Sequence, residues 1–177
     1  MHYRPHQRAI TRPLLTAREL ALAAGALATA AHVDLHLAIW YMDRFDPHRT
    51  IEAARRCADA ASRFGMRHLL AVALVLEANG LARLDLCDEM EAKLNQAFAV
   101  GGDQPDVLGM AWAQCRAMLS LLRENRRHAL QQLATSMDYL RRLPTTPPVP
   151  TRGLWALLRT VQDLEERRRA PTCGPPG

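Results

Sequence analysis

Apolar residues recur every three to four positions along most of this chain, and no segment shows the period of two that a half-buried strand requires. In the clearest stripe, Leu108, Trp112, Cys115, Leu119 and Leu122 fall on one face of a helix. The composition agrees, because 29 Ala and 27 Leu outweigh 3 Phe and 3 Tyr among the 177 residues. We therefore predict an all-α fold.

Proline positions set the predicted helix boundaries, because proline is tolerated in the first turn of a helix but not in its interior. No proline lies between residues 48 and 104 or between 106 and 143. The predicted helices span residues 14–30, 32–45, 48–64, 67–84, 87–100, 105–123, 126–143 and 152–168. This division leaves a basic flexible tail over 1–13, a helical-repeat domain over 14–168 and a disordered Pro/Gly tail over 169–177.

A short motif recurs where one predicted helix ends and the next begins. Its copies are Arg44–Asp46, Arg83–Asp85 and Arg123–Asn125, at spacings of 39 and 40 residues. Arg favours a helix C-terminus, and Asp or Asn can cap the helix that follows. A second register repeats in the following helices: Ala54, Ala58 and Ala61; Met90, Leu94 and Ala97; Ala129, Leu133 and Ser136. Together the two patterns indicate a tetratricopeptide-like α-solenoid of stacked antiparallel helical hairpins, with seven to eight helices.

The net charge of +5 does not indicate a nucleic-acid surface, because it comes from the ends of the chain. Residues 19–164 carry 16 basic and 16 acidic side chains, whereas nucleic-acid footprints cluster basic residues on one face. We expect no direct nucleic-acid contact. The alternative is a nucleic-acid binder that acts through the Arg-rich N-terminal tail, with Arg4, Arg8, Arg12 and Arg18.

Cysteine usage predicts a cytoplasmic protein. The 4 cysteines form no C-x-x-C pair and no short spacing to histidine, so neither a zinc site nor a disulfide framework is indicated. The Ala-rich run Leu20–Ala31 resembles a signal peptide, but Arg18 and Glu19 adjoin it and it is too short to cross a bilayer. We expect no membrane association.

Three segments carry a family resemblance. They read Leu37-Ala-Ile-Trp-Tyr-Met-Asp-Arg-Phe-Asp46, Asp103-Gln-Pro-Asp-Val-Leu-Gly-Met-Ala-Trp112 and Arg152-Gly-Leu-Trp-Ala-Leu-Leu-Arg159. On these segments, the stretch from Leu35 to Val161 resembles the helical-repeat region of large ATP-binding LuxR-type transcriptional regulators of high-GC bacteria. The resemblance implies an inducer-sensing or partner-docking array, which in that family follows a P-loop ATPase domain and precedes a helix-turn-helix domain.

Neither flanking domain has a counterpart in this sequence. No G-x-x-x-x-G-K-[ST] motif occurs, and the residues after Arg169 cannot form a recognition helix. We expect a non-enzymatic binding module, a fragment or stand-alone relative of such a regulator, that binds a protein, a peptide or a small inducer. The helix predicted at 14–30 is apolar on nearly every side, so we also expect self-association.

Trp40, Trp112 and Trp155 are the predicted partner-binding residues, because each lies on or beside an apolar stripe. The alternative interpretation is packing between adjacent repeats, since large aromatic side chains are usually mostly buried. For Trp112, in the clearest stripe, we expect burial.

His32 and His36 share one helix face, with Asp34 between them in sequence. The spacing can hold zinc, but Val33 stands where a metalloprotease needs Glu, and no third ligand is apparent. We expect no catalytic residue, cofactor or metal ion. A small helical enzyme or metal-binding protein that uses His32, Asp34 and His36 is the alternative.

Overall fold

The computed structural model describes residues 7–102 and 107–142, and every regular element in these ranges is an α-helix. The helices are α1 (Gln7–Ala23), α2 (Leu27–Asp43), α3 (Pro47–Arg63), α4 (Arg67–Ala82), α5 (Cys87–Gly101), α6 (Val107–Leu122) and α7 (Arg126–Arg142). The all-α prediction is confirmed for these residues. Residues 1–6, the predicted helix at 152–168 and the tail at 169–177 lie outside them.

The predicted first helix, 14–30, differs from α1 at both ends. Because α1 begins at Gln7, residues 7–13 of the predicted tail are helical, and the helix continues through Pro13. It ends at Ala23, and Gly25 adopts a φ of +68° in the turn to α2. The Ala-rich run conceals this break, because helix propensity is high on both sides of a single glycine.

Five turns between consecutive helices share one backbone geometry. In each turn one residue has a positive φ, and the next residue donates its N–H to the carbonyl five residues back at 2.7–3.1 Å. This is the Schellman closure of a helix C-terminus. The positive-φ residues are Gly25, Phe45, Gly65, Asp85 and Glu124. Alternate turns, at 45, 85 and 124, are 40 and 39 residues apart, so the repeat seen in the sequence is present in the backbone.

The predicted capping role holds for two of the three motifs. Asp46 caps α3 and Asn125 caps α7, each accepting a hydrogen bond of 3.1 Å from the backbone N–H three residues later. Asp85 does not cap α5, because it occupies the positive-φ position and Leu86 follows it as the N-cap residue. The middle motif is therefore shifted by one residue: Asp85 corresponds to Phe45, and Leu86 to Asp46.

The chain divides into two compact units, residues 1–104 and 105–177. In the first unit each helix from α1 to α5 packs on the next along the chain, and α2 also contacts α4. In the second unit α6 packs on α7. Packing between consecutive helices agrees with a stack of helical hairpins, and the α-solenoid stays a prediction. No helix within the described ranges is long and apolar enough to cross a membrane.

The second register predicted from the sequence lies in the interior of these units. All of its positions are buried: Ala54, Ala58, Ala61, Met90, Leu94, Ala97, Ala129, Leu133 and Ser136. Small side chains at most of these positions let neighbouring helices approach closely. In the second unit, Ser136 Oγ donates to the carbonyl oxygen of Met110 at 3.3 Å and so links α7 to α6.

Close packing between α3 and α4 requires glycine at position 80. A Cβ atom on Gly80 would lie 2.6 Å from Cγ1 of Ile51 and 3.2 Å from the carbonyl oxygen of Pro47. We expect Gly80→Ala to lower the free energy of unfolding by about 1–2 kcal/mol, because overpacking outweighs the better helix propensity of Ala. Urea denaturation measures this loss. In an Ile51→Ala background the same substitution should cost less, because only the 3.2 Å approach to the carbonyl oxygen of Pro47 remains. Stabilisation in the wild-type background would contradict the prediction.

Candidate functional site

The residues of the metal-binding alternative lie on different faces of α2. His32 and His36 are exposed one turn apart, whereas Asp34 is buried. Asp34 accepts hydrogen bonds from Arg18 Nε of α1 at 2.9 and 3.0 Å and from Arg56 Nε of α3 at 2.8 Å. Its oxygens therefore bind α2 to both neighbouring helices. Within the described residues, no group of three or more His, Cys, Asp and Glu side chains is placed to hold a metal ion.

The same ion pair bears on the nucleic-acid alternative. Arg18 is held by the buried carboxylate of Asp34, so it is not available to a phosphate group. Arg12 is exposed on α1. The side chains of Arg4 and Arg8 lie outside the described residues.

The buried thiol of Cys57 in α3 is not a nucleophile. Burial, together with the negative charge of Asp34, raises the pKa of Cys57 to about 12. The thiolate is the reactive form of cysteine, so Cys57 stays protonated and unreactive at neutral pH. We assign it a packing role in the core of the first unit, where Cys57 contributes to a buried cluster with Ala31, Ala61 and Leu69.

Trp40 of α2 is half-buried, and contacts within the chain occupy both its N–H group and one ring face. Its Nε1 donates to Thr11 Oγ1 of α1 at 3.0 Å. The guanidinium carbon of Arg44 lies 3.2 Å from the centroid of the indole. Packing between α1 and α2 accounts for Trp40 without a partner molecule.

The other two tryptophans predicted to bind a partner, Trp112 and Trp155, provide weaker evidence for a binding site. Trp112 is half-buried on α6, so the expectation that it is buried is wrong. The guanidinium carbon of Arg116, one turn later on the same helix, lies 5.5 Å from its ring centroid. Trp155 lies outside the described residues.

Phe45, in the turn between α2 and α3, is the most exposed large hydrophobic residue in the described ranges, at 76%. It has a φ of +58° at the position that Gly25 and Gly65 fill in the neighbouring turns. A bulky side chain in this conformation is strained by about 1 kcal/mol, and glycine is not. Neither backbone geometry nor burial therefore favours phenylalanine here. Sequence reasoning missed it as a site residue, although its distance of 20 residues from each of these two glycines is a signal.

Two arginine–aromatic pairs involve the aromatic residues of the segment 41–49, and one of them contains Phe45. Arg83, at the end of α4, places its guanidinium carbon 4.3 Å from the Phe45 ring centroid. Arg49 of α3 lies 5.6 Å from the ring centroid of Tyr41. We call these two pairs the Phe45 cluster: Phe45 with Arg83, and Tyr41 with Arg49. Aromatic residues and arginine are the types that carry most binding energy in protein interfaces.

Comparison of the chain with protein-family models, with curated proteins and with solved structures finds no match. The resemblance to LuxR-type regulators therefore gains no support from relatives and stays an expectation. A functional assignment must come from the geometry of the chain, in which the Phe45 cluster is the strongest candidate.

Proposed function

We propose that the chain is a non-enzymatic binding module that holds a protein or peptide partner on the Phe45 cluster. The observation that carries the proposal is Phe45 itself, a strained and exposed aromatic side chain at a turn position that glycine fills in the two neighbouring turns and that the polar residues Asp85 and Glu124 fill in the equivalent turns of the repeat. Strained backbone and exposed apolar side chains both lower stability and concentrate at functional sites. A binding role is the benefit that offsets them.

The arrangement of the cluster indicates how a partner would bind. Phe45 would enter an apolar pocket of the partner, while Arg83 and Arg49 would contact oxygen acceptors at the rim. The arginines are already held against aromatic rings at 4.3 and 5.6 Å, so less side-chain freedom is lost on binding. A protein or peptide suits this surface better than a small inducer, because a side chain that is 76% exposed is not enclosed as a ligand pocket requires.

A regulatory role in a cytoplasmic LuxR-type system forms part of the same proposal. Its support is the resemblance over Leu37–Asp46, the segment that contains Trp40, Tyr41, Arg44 and Phe45. In that family the repeats dock partners or sense inducers, and the Phe45 cluster would be the docking surface of this chain.

Phe45→Gly separates a binding role from a structural one. We expect this variant to be more stable than the wild type by about 0.5–1 kcal/mol, because the strain is relieved. The binding probes are peptides selected from a random displayed library against the wild-type chain. Phe45→Gly should bind these peptides more than tenfold less tightly than the wild type does, as measured by isothermal titration calorimetry.

Two control variants accompany this experiment. Glu124→Gly relieves strain at an equivalent turn and should gain similar stability without loss of peptide binding. Phe64→Ala removes another exposed aromatic ring, 49% exposed, and should also leave binding unchanged. Equal peptide affinity for the wild type and Phe45→Gly would overturn the proposal.

A further inference from the structure

The outer face of α1 carries apolar side chains that α1 itself cannot bury. Within the described residues α1 packs chiefly against α2, and its inward side includes Leu14, Arg18 and the buried Ala21. Leu15, 41% exposed, and Leu22, 40% exposed, lie on the same outer side, whereas Leu20, 65% exposed, lies about 140° round the helix from Leu15. Leu15 and Leu22, seven residues apart, therefore form a short exposed apolar strip along one side of α1.

Charged residues flank Leu15 on this outer face with opposite signs. Arg12 precedes it by three positions and Glu19 follows it by four, and both are exposed. Neither forms an ion pair among the described residues. Seven residues along one helix span about 10 Å, so Arg12 and Glu19 cannot pair with each other.

We propose that two copies of the chain associate through this face of α1, antiparallel around a two-fold axis close to Leu15. In that arrangement Arg12 of each copy lies opposite Glu19 of the other, and the two Leu15 side chains meet at the axis. A positive and a negative charge at similar distances on either side of an apolar centre are self-complementary, as an isologous interface requires. A second copy therefore matches this face without any further partner.

The size of the surface sets the strength of the dimer. One face of a 17-residue helix is smaller than the roughly 800 Å² per partner of a standard stable interface. We expect a dissociation constant on the order of tens of micromolar. No residue of the Phe45 cluster takes part, so the dimer and the proposed partner binding stand independently.

Charge-reversal variants of the full chain test this arrangement. Their self-association is measured by sedimentation equilibrium. The wild type should show a monomer–dimer equilibrium between about 5 and 500 µM. Arg12→Glu alone and Glu19→Arg alone each place like charges opposite one another and should weaken self-association at least tenfold. The double variant should restore the dimer, and an equimolar mixture of the two single variants should form a heterodimer.

The control is Arg63→Glu, a charge reversal on an exposed residue of α3, which should leave the equilibrium unchanged. Circular dichroism confirms that each variant keeps its helices. A wild-type chain that stays monomeric over the whole range overturns the proposal. The proposal is also overturned if neither single charge reversal weakens the dimer, or if the two single variants fail to associate when mixed.

Discussion

Replacing Asp34 by alanine is expected to lower the free energy of unfolding by about 3–5 kcal/mol, as measured by urea denaturation. The Asp34 side chain is only 5% exposed and pairs with Arg18 and Arg56 from two neighbouring helices. These arginines are themselves 26% and 31% exposed, so their charges cannot be fully rehydrated when the carboxylate is removed. The loss therefore combines the missing attraction with two partly buried cations, of which Arg56 keeps a second acid, Glu52, and Arg18 has no other ion pair among the described residues.

Glu52 provides the matched control, because it pairs with the same Arg56 at 2.7 Å but is 70% exposed. Glu52→Ala should lower the free energy of unfolding by less than about 0.5 kcal/mol, since solvent already screens an exposed pair. Equal losses for Asp34→Ala and Glu52→Ala would mean that burial adds nothing to the Asp34 pairs, and the prediction would be wrong.

Helix boundaries were predictable wherever an apolar stripe and a turn signal coincide. The predicted helix at 87–100 matches α5 at Cys87–Gly101, and the one at 126–143 matches α7 at Arg126–Arg142. The prediction fails around Gly25, because alanine favours helix on both sides and only the geometry of the turn marks the break. The strained conformation of Phe45 was not predicted either, since local propensity argues against it.

The buried charges were harder to predict than the helices. Residues two apart on a helix point in nearly opposite directions, so an exposed His32 and a buried Asp34 follow from helical geometry alone. What the sequence does not contain is the rotation of α2 relative to its neighbours, which brings Arg18, 16 residues away, and Arg56, 22 residues away, to Asp34. The candidate site has the same limitation, because Arg83 reaches Phe45 through the packing of α4.

Glu77 of α4 forms a second buried ion-pair network, in which the acid is more deeply buried than either of its cations. Its side chain is 1% exposed, and each oxygen has its own cation: Arg55 Nε of α3 at 2.7 Å and Lys93 Nζ of α5 at 3.0 Å. Arg55 is 59% exposed and Lys93 is 32% exposed, so both cations reach solvent more easily than the acid does. When the pairs are broken, the Glu77 carboxylate is therefore the group that cannot reach solvent.

We therefore expect the double variant Arg55→Ala/Lys93→Ala to lower the free energy of unfolding by about 3–5 kcal/mol, because it leaves a buried carboxylate without a cation. Adding Glu77→Met should restore most of this loss, since Met fills a similar volume without a charge. Urea denaturation of the wild type, double and triple variants measures both steps. A triple variant no more stable than the double would show that the loss comes from packing of the cation side chains rather than from an unpaired charge, because only the charge is relieved when Glu77 becomes Met.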